Sequence, residues 1–217
     1  MKFIEIAREL GTPLVFRMNL NQQSQGETWE THKRLLRSLT PIVDCGVHYV
    51  DVMCQMTRAE PVKVHAIGAR LSGEVALDNY GQLQVVFADG SVGWYEAGWG
   101  PMISETAFFV KDVFGPKGSV SIVMAENSGG VRSDDINAHT RTSQILRHYA
   151  DGSRPDERID MSDEPDHDAL CEREQRFLLD AIEKDFDLTA HMDDAVKSLR
   201  IVLAADRSIR SGEVVHL

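Results

Sequence analysis

The alternation of apolar and polar positions divides the chain into short, well-bounded elements. In FIEIARE, apolar residues at 3, 4 and 7 sit beside charges and predict a short helix over 3–9. Gly11 closes it, and PLVFRM comes next as an apolar strand. Helix, glycine, buried strand is one step of an alternating α/β fold. NQQSQGETW is polar and turn-like, and a helix is expected from about 27 to 37. After Pro41, IVDCGVHYVDVMCQM runs on with Gly46 as its one breaker. From Pro61 to Met124 the pattern becomes strand: VKVHAIGARL, QLQVVFA, VGWYEAG, TAFFVKDVF and SVSIVMA, parted by the turn signals DNYG, ADGS and GPKG. Tight turns between successive strands imply an antiparallel meander in a sizeable sheet.

Residues 125–166 form a polar excursion containing ENSGGVRSDD and DGSRPDERIDMSDEPD, with a helix expected in INAHTRTSQILRHY. Loops this long are usually functional or mobile. Two helices end the chain. The first, about 167–184, carries Cys171, Phe177, Leu178, Ala181 and Ile182 on one side. The second carries Met192, Ala195, Val196, Leu199, Val202 and Leu203 as a three-and-four stripe, with Thr189 as its expected N-cap. VVHL reads as a last strand returning to the sheet.

Composition narrows the class. A chain of 217 residues, 42% hydrophobic and 26% charged, matches one ordinary globular domain with at most an attached fragment. A net charge of −11 argues against nucleic acid and anionic membrane as main partners, since both select basic patches. No apolar run reaches the ~20 residues of a membrane span. Three cysteines, an odd number without a CxxC pair, fit a reducing cytoplasm.

The chemistry concentrates in DCGVHYVD, residues 44–51. On a helix, Val43, Val47, Val50 and Cys54 would form an apolar stripe, and Asp44, His48, Asp51 and Gln55 a polar one about 100° away. Gly46 lies between them at a cost of about 1 kcal/mol relative to alanine, which suggests a close approach there. An imidazole one turn from a carboxylate can take a proton from a hydroxyl while the carboxylate orients it. The same spacing also occurs on ordinary solvated helix faces, and Asp and His at these intervals can chelate a metal.

DCGVHYVDVM resembles the D-x-G-x-H-x-x-D segment of the glucose–fructose oxidoreductase / inositol dehydrogenase / rhizopine catabolism (Gfo/Idh/MocA) family. VKVHAIGARL and QLQVVFADGSVGWYEAGW are similar to its sheet strands, and DVFGPKGSVSI to its G-x-x-G strand pair. The stretch from EREQRFLLDAIE to GEVVHL resembles its closing helices and strand. The resemblance implies an α/β (α+β) fold: an open, mostly antiparallel mixed sheet with helices packed on one face, like the C-terminal domain of dihydrodipicolinate reductase. It implies a dehydrogenase of sugars or inositol-like polyols that uses NAD or NADP. Asp44 and His48 would be the catalytic pair, His48 taking the hydroxyl proton; Asp51 would orient the helix or touch substrate. Asn21, Trp29 and His32 are weaker substrate-site candidates, since the family's arginine-bearing loop reads NLNQQSQGETW here.

The departures matter too. The family's G-x-G-x-x-G fingerprint and its E-K-P lysine segment are absent from the sequence, so no cofactor-binding residue is expected in this chain, nor a metal site. Residues 1–20 would be the last helix–strand unit of a Rossmann domain and 21–217 the substrate and oligomerisation domain of a truncated enzyme. The competing expectations are a non-catalytic oligomerisation or regulatory module, pairing as a dimer or tetramer through the sheet face, and a metal-dependent hydrolase.

Overall fold

The computed structural model describes residues 1–106, 108–124, 132–140 and 142–217. Part of ENSGGVRSDD therefore lies outside the described residues. One nine-stranded sheet organises the rest. Its strands are β1 (Val15–Gln22), β2 (Pro61–Ala69), β3 (Tyr80–Phe87), β4 (Val92–Trp99), β5 (Lys111–Gly115), β6 (Gly118–Val123), β7 (Gln144–Tyr149), β8 (Glu157–Asp160) and β9 (Val215–His216). Their order is β8-β7-β6-β5-β1-β4-β3-β2-β9. β1 and β4 run parallel, in register from Val15–Val92 to Gln22–Trp99. The other pairs among the described residues are antiparallel. This is the open, mostly antiparallel mixed sheet that the family resemblance implies, and it contains the antiparallel meander β2–β3–β4 read from the strand pattern.

Each central strand buries alternate residues, as the period of two requires. Phe16 and Met18 of β1, Leu83, Val85 and Phe87 of β3, and Tyr95 and Ala97 of β4 are almost fully buried. They meet one helical layer: α1 (Lys2–Glu9) through Ile6 and Ala7, α4 (Gly46–Thr57) through Val50 and Met53, and α7 (Thr189–Ser211) through Ile201, Val202, Ala204 and Ala205. Each large side chain buried this way contributes roughly 1.5–3 kcal/mol. Residues 1–20 are built into this sheet and its core. β1 lies between β4 and β5, and α1 shares the core with α4.

Gly46 is explained by packing. A Cβ there would lie 3.1 Å from the ring of Tyr95, so the close approach suggested by the sequence is an aromatic side chain of β4. Below it, α3 (Pro41–Asp44) inserts Ile42 over Gly81, where a Cβ would come within 2.7 Å of that isoleucine. The two glycines let the α3–α4 segment sit directly on the sheet.

Three expectations are corrected. Among the described residues of INAHTRTSQILRHY the helix is α5 (Ile136–Thr140); the second half is β7, because Ile145 and Tyr149 are buried and the segment pairs with β6. Within TAFFVKDVF, residues 108–110 are not strand and β5 begins at Lys111. The third concerns α7. Of the expected stripe only Val202 faces the core, while Met192, Val196, Leu199 and Leu203 are exposed. The inward face is Ser198, Ile201, Val202, Ala205 and Ser208, whose small residues let the helix lie close to α4 and β2. Thr189 is the first helical residue rather than the cap, which is Leu188. α6 (His167–Glu183) begins as expected, with Asp166 accepting from the Ala169 amide, yet Phe177, Leu178, Leu179 and Ile182 are all exposed.

Ser208 shows how α7 is fastened. Its Oγ accepts from the buried amide of Ala66 in β2 at 2.9 Å and donates to the Glu213 carbonyl at 2.5 Å. β9 pairs with β2 only at Lys63 and Val64, so this hydroxyl completes the ladder where the neighbouring strand has ended. Ser208→Ala leaves a buried N–H without a partner and is expected to cost about 1–3 kcal/mol in urea denaturation; an unchanged midpoint would contradict this role.

Candidate functional site

The segment carrying Asp44 and His48 is helical with one irregularity. α3 ends at Asp44 and α4 starts at Gly46, and Cys45 between them keeps right-handed angles (φ −86, ψ −33). The Cys45 amide donates to the Pro41 carbonyl at 3.1 Å, and that of His48 reaches only three residues back, to Cys45, at 3.2 Å. The turn tightens, but the path continues, and the four-residue spacing still delivers both side chains to one cavity of about 600 Å³. Pockets of this size hold small organic ligands.

The rest of the polar stripe goes elsewhere. Asp51 accepts from the Ser198 hydroxyl at 3.0 Å, and Gln55 donates to Asp194 at 3.1 Å. Both partners belong to α7, so Asp51 and Gln55 join the helices and Asp51 does not line the cavity. The polar stripe divides where α7 crosses it.

The other candidates separate as well. His32, on α2 (Gly26–Leu35), lines the cavity. Its ring stacks on Trp99 with centroids 4.3 Å apart and planes 9° from parallel, and its Nδ1 lies 2.9 Å from Ser24 Oγ. Burial lowers its pKa from 6.5 to about 4, with a smaller opposing effect from Asp134. Trp29 is buried in a small cluster with Leu36, Val75 and Trp99, behind the cavity wall. Asn21 lies on the opposite face of the sheet, donating to Glu96 at 2.6 Å beside a smaller cleft of about 370 Å³.

Several cavity residues were not singled out from the sequence. Tyr49 is next to His48 on α4, Gln22 ends β1, His139 comes from α5 and His167 from the start of α6. Lys111 opens β5 and is sunk between aromatic rings, 4.7 Å from the centroid of Phe109 and 5.6 Å from that of Tyr49. Its ammonium donates to the His139 carbonyl. Burial lowers its pKa to about 8, against a weaker pull from Glu164. His139, itself buried, is pushed to about 4, desolvation outweighing its contact with the Ser133 carbonyl. Cys45 donates to the Asp44 carboxylate at 3.6 Å, and burial holds its thiol protonated. Lys111 had one legible signal, a charge inside the apolar run AFFVKDVF. The histidines sat in polar sequence without a pattern.

Among the described residues, the strand-to-helix turn beside the parallel pair is not built as a dinucleotide turn. The parallel pair among the described strands is β1–β4, and β1 passes through Gln22–Gln25 into α2, where Gly26 is the lone glycine of the turn. That turn lacks the glycines that bring a pyrophosphate against a helix N-terminus. Among the described residues, no group of three or more His, Cys, Asp or Glu side chains is placed to hold a metal ion. No described helix is long and apolar enough to cross a membrane.

Known proteins share this sequence pattern and this fold. The GFO/IDH/MocA C-terminal domain model matches residues 5–121, and the chain belongs to the Gfo/Idh/MocA family. The match starts within α1 and includes β1. A search of curated proteins gives no match. Among solved structures, the fold is shared with aldose–aldose oxidoreductase from Caulobacter crescentus, in complex with glycerol (TM-score 0.69, 20% identity, 99% of this chain and 59% of that one). It is shared with a putative NADPH-dependent oxidoreductase from Desulfitobacterium hafniense (TM-score 0.70, 18% identity, 99% and 60%). It is shared also with the WlbA dehydrogenase from Bordetella pertussis, in complex with NADH and UDP-GlcNAcA (TM-score 0.64, 16% identity, 99% and 60%). The chain thus spans about three-fifths of the length of these structures.

The buried histidines give the site a pH signature. A histidine whose folded pKa lies below its unfolded value stabilises the fold above about pH 6.5, and that contribution is lost as pH falls toward 4. The shift of His32 from 6.5 to about 4 corresponds to about 3 kcal/mol. Urea denaturation at pH 7 and 4.5 should show a smaller pH-dependent loss for His32→Phe than for the native chain; equal losses would contradict a neutral, buried imidazole.

Proposed function

We propose that this chain is the substrate-binding and proton-transfer half of an NAD(P)-dependent sugar or polyol dehydrogenase. The observation that carries the reading is the joint placement of Asp44 and His48 on the wall of the 600 Å³ cavity. His48 is exposed at that wall, where its imidazole can take a proton from a substrate hydroxyl and release it to water. Asp44, half-buried and one turn earlier, accepts hydrogen bonds from the imidazole or from a second hydroxyl and fixes the orientation. Trp99 and Tyr49 supply apolar wall against which the C–H face of a sugar can lie. Oxidation of an alcohol also requires a hydride acceptor, which is the chemistry a nicotinamide supplies when bound. On this reading the chain's share of the reaction is to bind, orient and deprotonate. Titration calorimetry is expected to show no binding of NAD or NADP, and binding of aldoses or polyols that weakens about tenfold or more in Asp44→Asn and His48→Asn. Tight cofactor binding, or sugar binding indifferent to both substitutions, would overturn the proposal.

A second reading, a module that pairs copies through the open sheet face, has its own support. The side away from the helices carries exposed Ile67 and Val92 with half-buried Tyr80, Trp94 and Phe114. Four other strand-region aromatics, Phe87, Tyr95, Trp99 and Phe108, are buried and cannot join such an interface. Light scattering at high concentration is expected to give a dimer or tetramer on this reading, and a monodisperse monomer would remove it.

A further inference from the structure

Lys111 presents an unusual arrangement for an ammonium group. Its Nζ lies over the rings of Phe109 and Tyr49, and the one hydrogen bond that this Nζ makes among the described residues is to the carbonyl of His139. No carboxylate among the described residues lies within ion-pair distance of it. Burying a charge is costly unless it is paired, and among the described residues one neutral carbonyl and two aromatic faces are what meets this ammonium, without an anionic partner. The residue nevertheless lines the cavity that Asp44 and His48 share.

We infer that Lys111 is a specificity-determining residue, which binds the carboxylate of an acidic substrate, a sugar acid or polyhydroxy acid, while Asp44 and His48 engage its hydroxyls. This rests on the proposed function and narrows its substrate class. The cavity lining combines two complementary groups. Asp44, on α3, accepts hydrogen bonds and repels a nearby anion; Lys111, on β5, donates and attracts one. A ligand that carries both hydroxyls and a carboxylate satisfies both groups. The charge count favours a carboxylate over a phosphate. No arginine among the described residues lines the cavity, and His32 and His139 are held neutral near pH 7, so neither adds a second fixed cation to Lys111 to meet a dianion. A substrate carboxylate would supply the pairing that the described residues do not, with a charge-assisted bond worth about tenfold or more in affinity.

The groups facing Lys111 set the pH behaviour. Those that line the cavity with it are Tyr49 and His48 from α4, Asp44 and Cys45 just before them, His32 from α2, His139 from α5 and His167 from α6, while Glu164, in the segment before α6, acts on it electrostatically. Tyr49 stays protonated because burial raises its pKa. Titration of Lys111, near 8 in the free protein, therefore governs carboxylate binding on the alkaline side.

The test is titration calorimetry of the full chain with glucuronate and galacturonate, with glucose and galactose, and with glucose 6-phosphate. Each uronate is expected to bind about tenfold or more tightly than its parent aldose, and glucose 6-phosphate less tightly than glucuronate. In Lys111→Gln the uronate preference should fall within about threefold of unity. Lys111→Met serves if the glutamine variant fails to fold, and the native chain gives an arm without any substitution, in which uronate affinity falls as pH rises through about 8 while aldose affinity does not fall with it. Aldoses that bind as tightly as uronates, in a manner dependent on Asp44 and His48, would overturn the carboxylate assignment alone. A preference retained in both lysine variants, or tighter binding of the phosphate, would also overturn it. Binding of neither sugars nor acids would overturn the assignment together with the proposed function.

Discussion

The seating of one short helical segment on the sheet is the constraint on which the rest depends. α3 and α4 must approach the strands closely enough for Ile42 to rest over Gly81 and for the Tyr95 ring to fill the space above Gly46. Any side chain at those glycines would push the segment outward. α7 then clamps it from above, with Val202 3.5 Å from the position a Cβ on Gly46 would take and Ser198 bonded to Asp51. A polar stripe that would otherwise be an ordinary helix surface is fixed in direction by these contacts. Its first half faces a cavity and its second half is spent on holding the helices together.

Much of this is legible along the chain, for physical reasons that differ by element. The strands between Pro61 and Val123 announce themselves because each buries one face and turns sharply at glycine, aspartate or proline. The D-x-x-x-H pair is legible because a helical period forces neighbours four apart onto one side, and the bend at Cys45 is too slight to separate them. α7 misleads for an equally physical reason. It carries two apolar stripes, and periodicity finds the larger residues, Met192, Val196, Leu199 and Leu203, whereas close packing selects the smaller ones, Ser198, Ala205 and Ser208. A sequence pattern says that a face is apolar; it does not say which apolar face is nearest to the sheet.

Strand facing and strand order account for the parts of the site that stay hidden in the sequence. Asn21 and Gln22 are adjacent, yet they point to opposite faces of β1, so one stands beside the far cleft and the other in the cavity. Proximity in sequence is of no help in a strand unless the facing is known. His139, His167 and Lys111 come from three distant segments that meet only because β5, β6 and β7 fold back next to β1. The outward stripe of α7, with the exposed apolar residues of α6, forms a surface of the kind that other protein usually covers.

The occupant of one cavity decides whether the polar stripe is a site or a surface. A crystal structure of the chain grown with a hexuronate tests this directly. Electron density for the sugar is expected between α4 and β5, with one hydroxyl in hydrogen-bond reach of the His48 imidazole and the Asp44 carboxylate. Density only in the cleft beside Asn21 and Glu96, or an ordered sugar whose hydroxyls all lie beyond hydrogen-bond distance of His48, would contradict it.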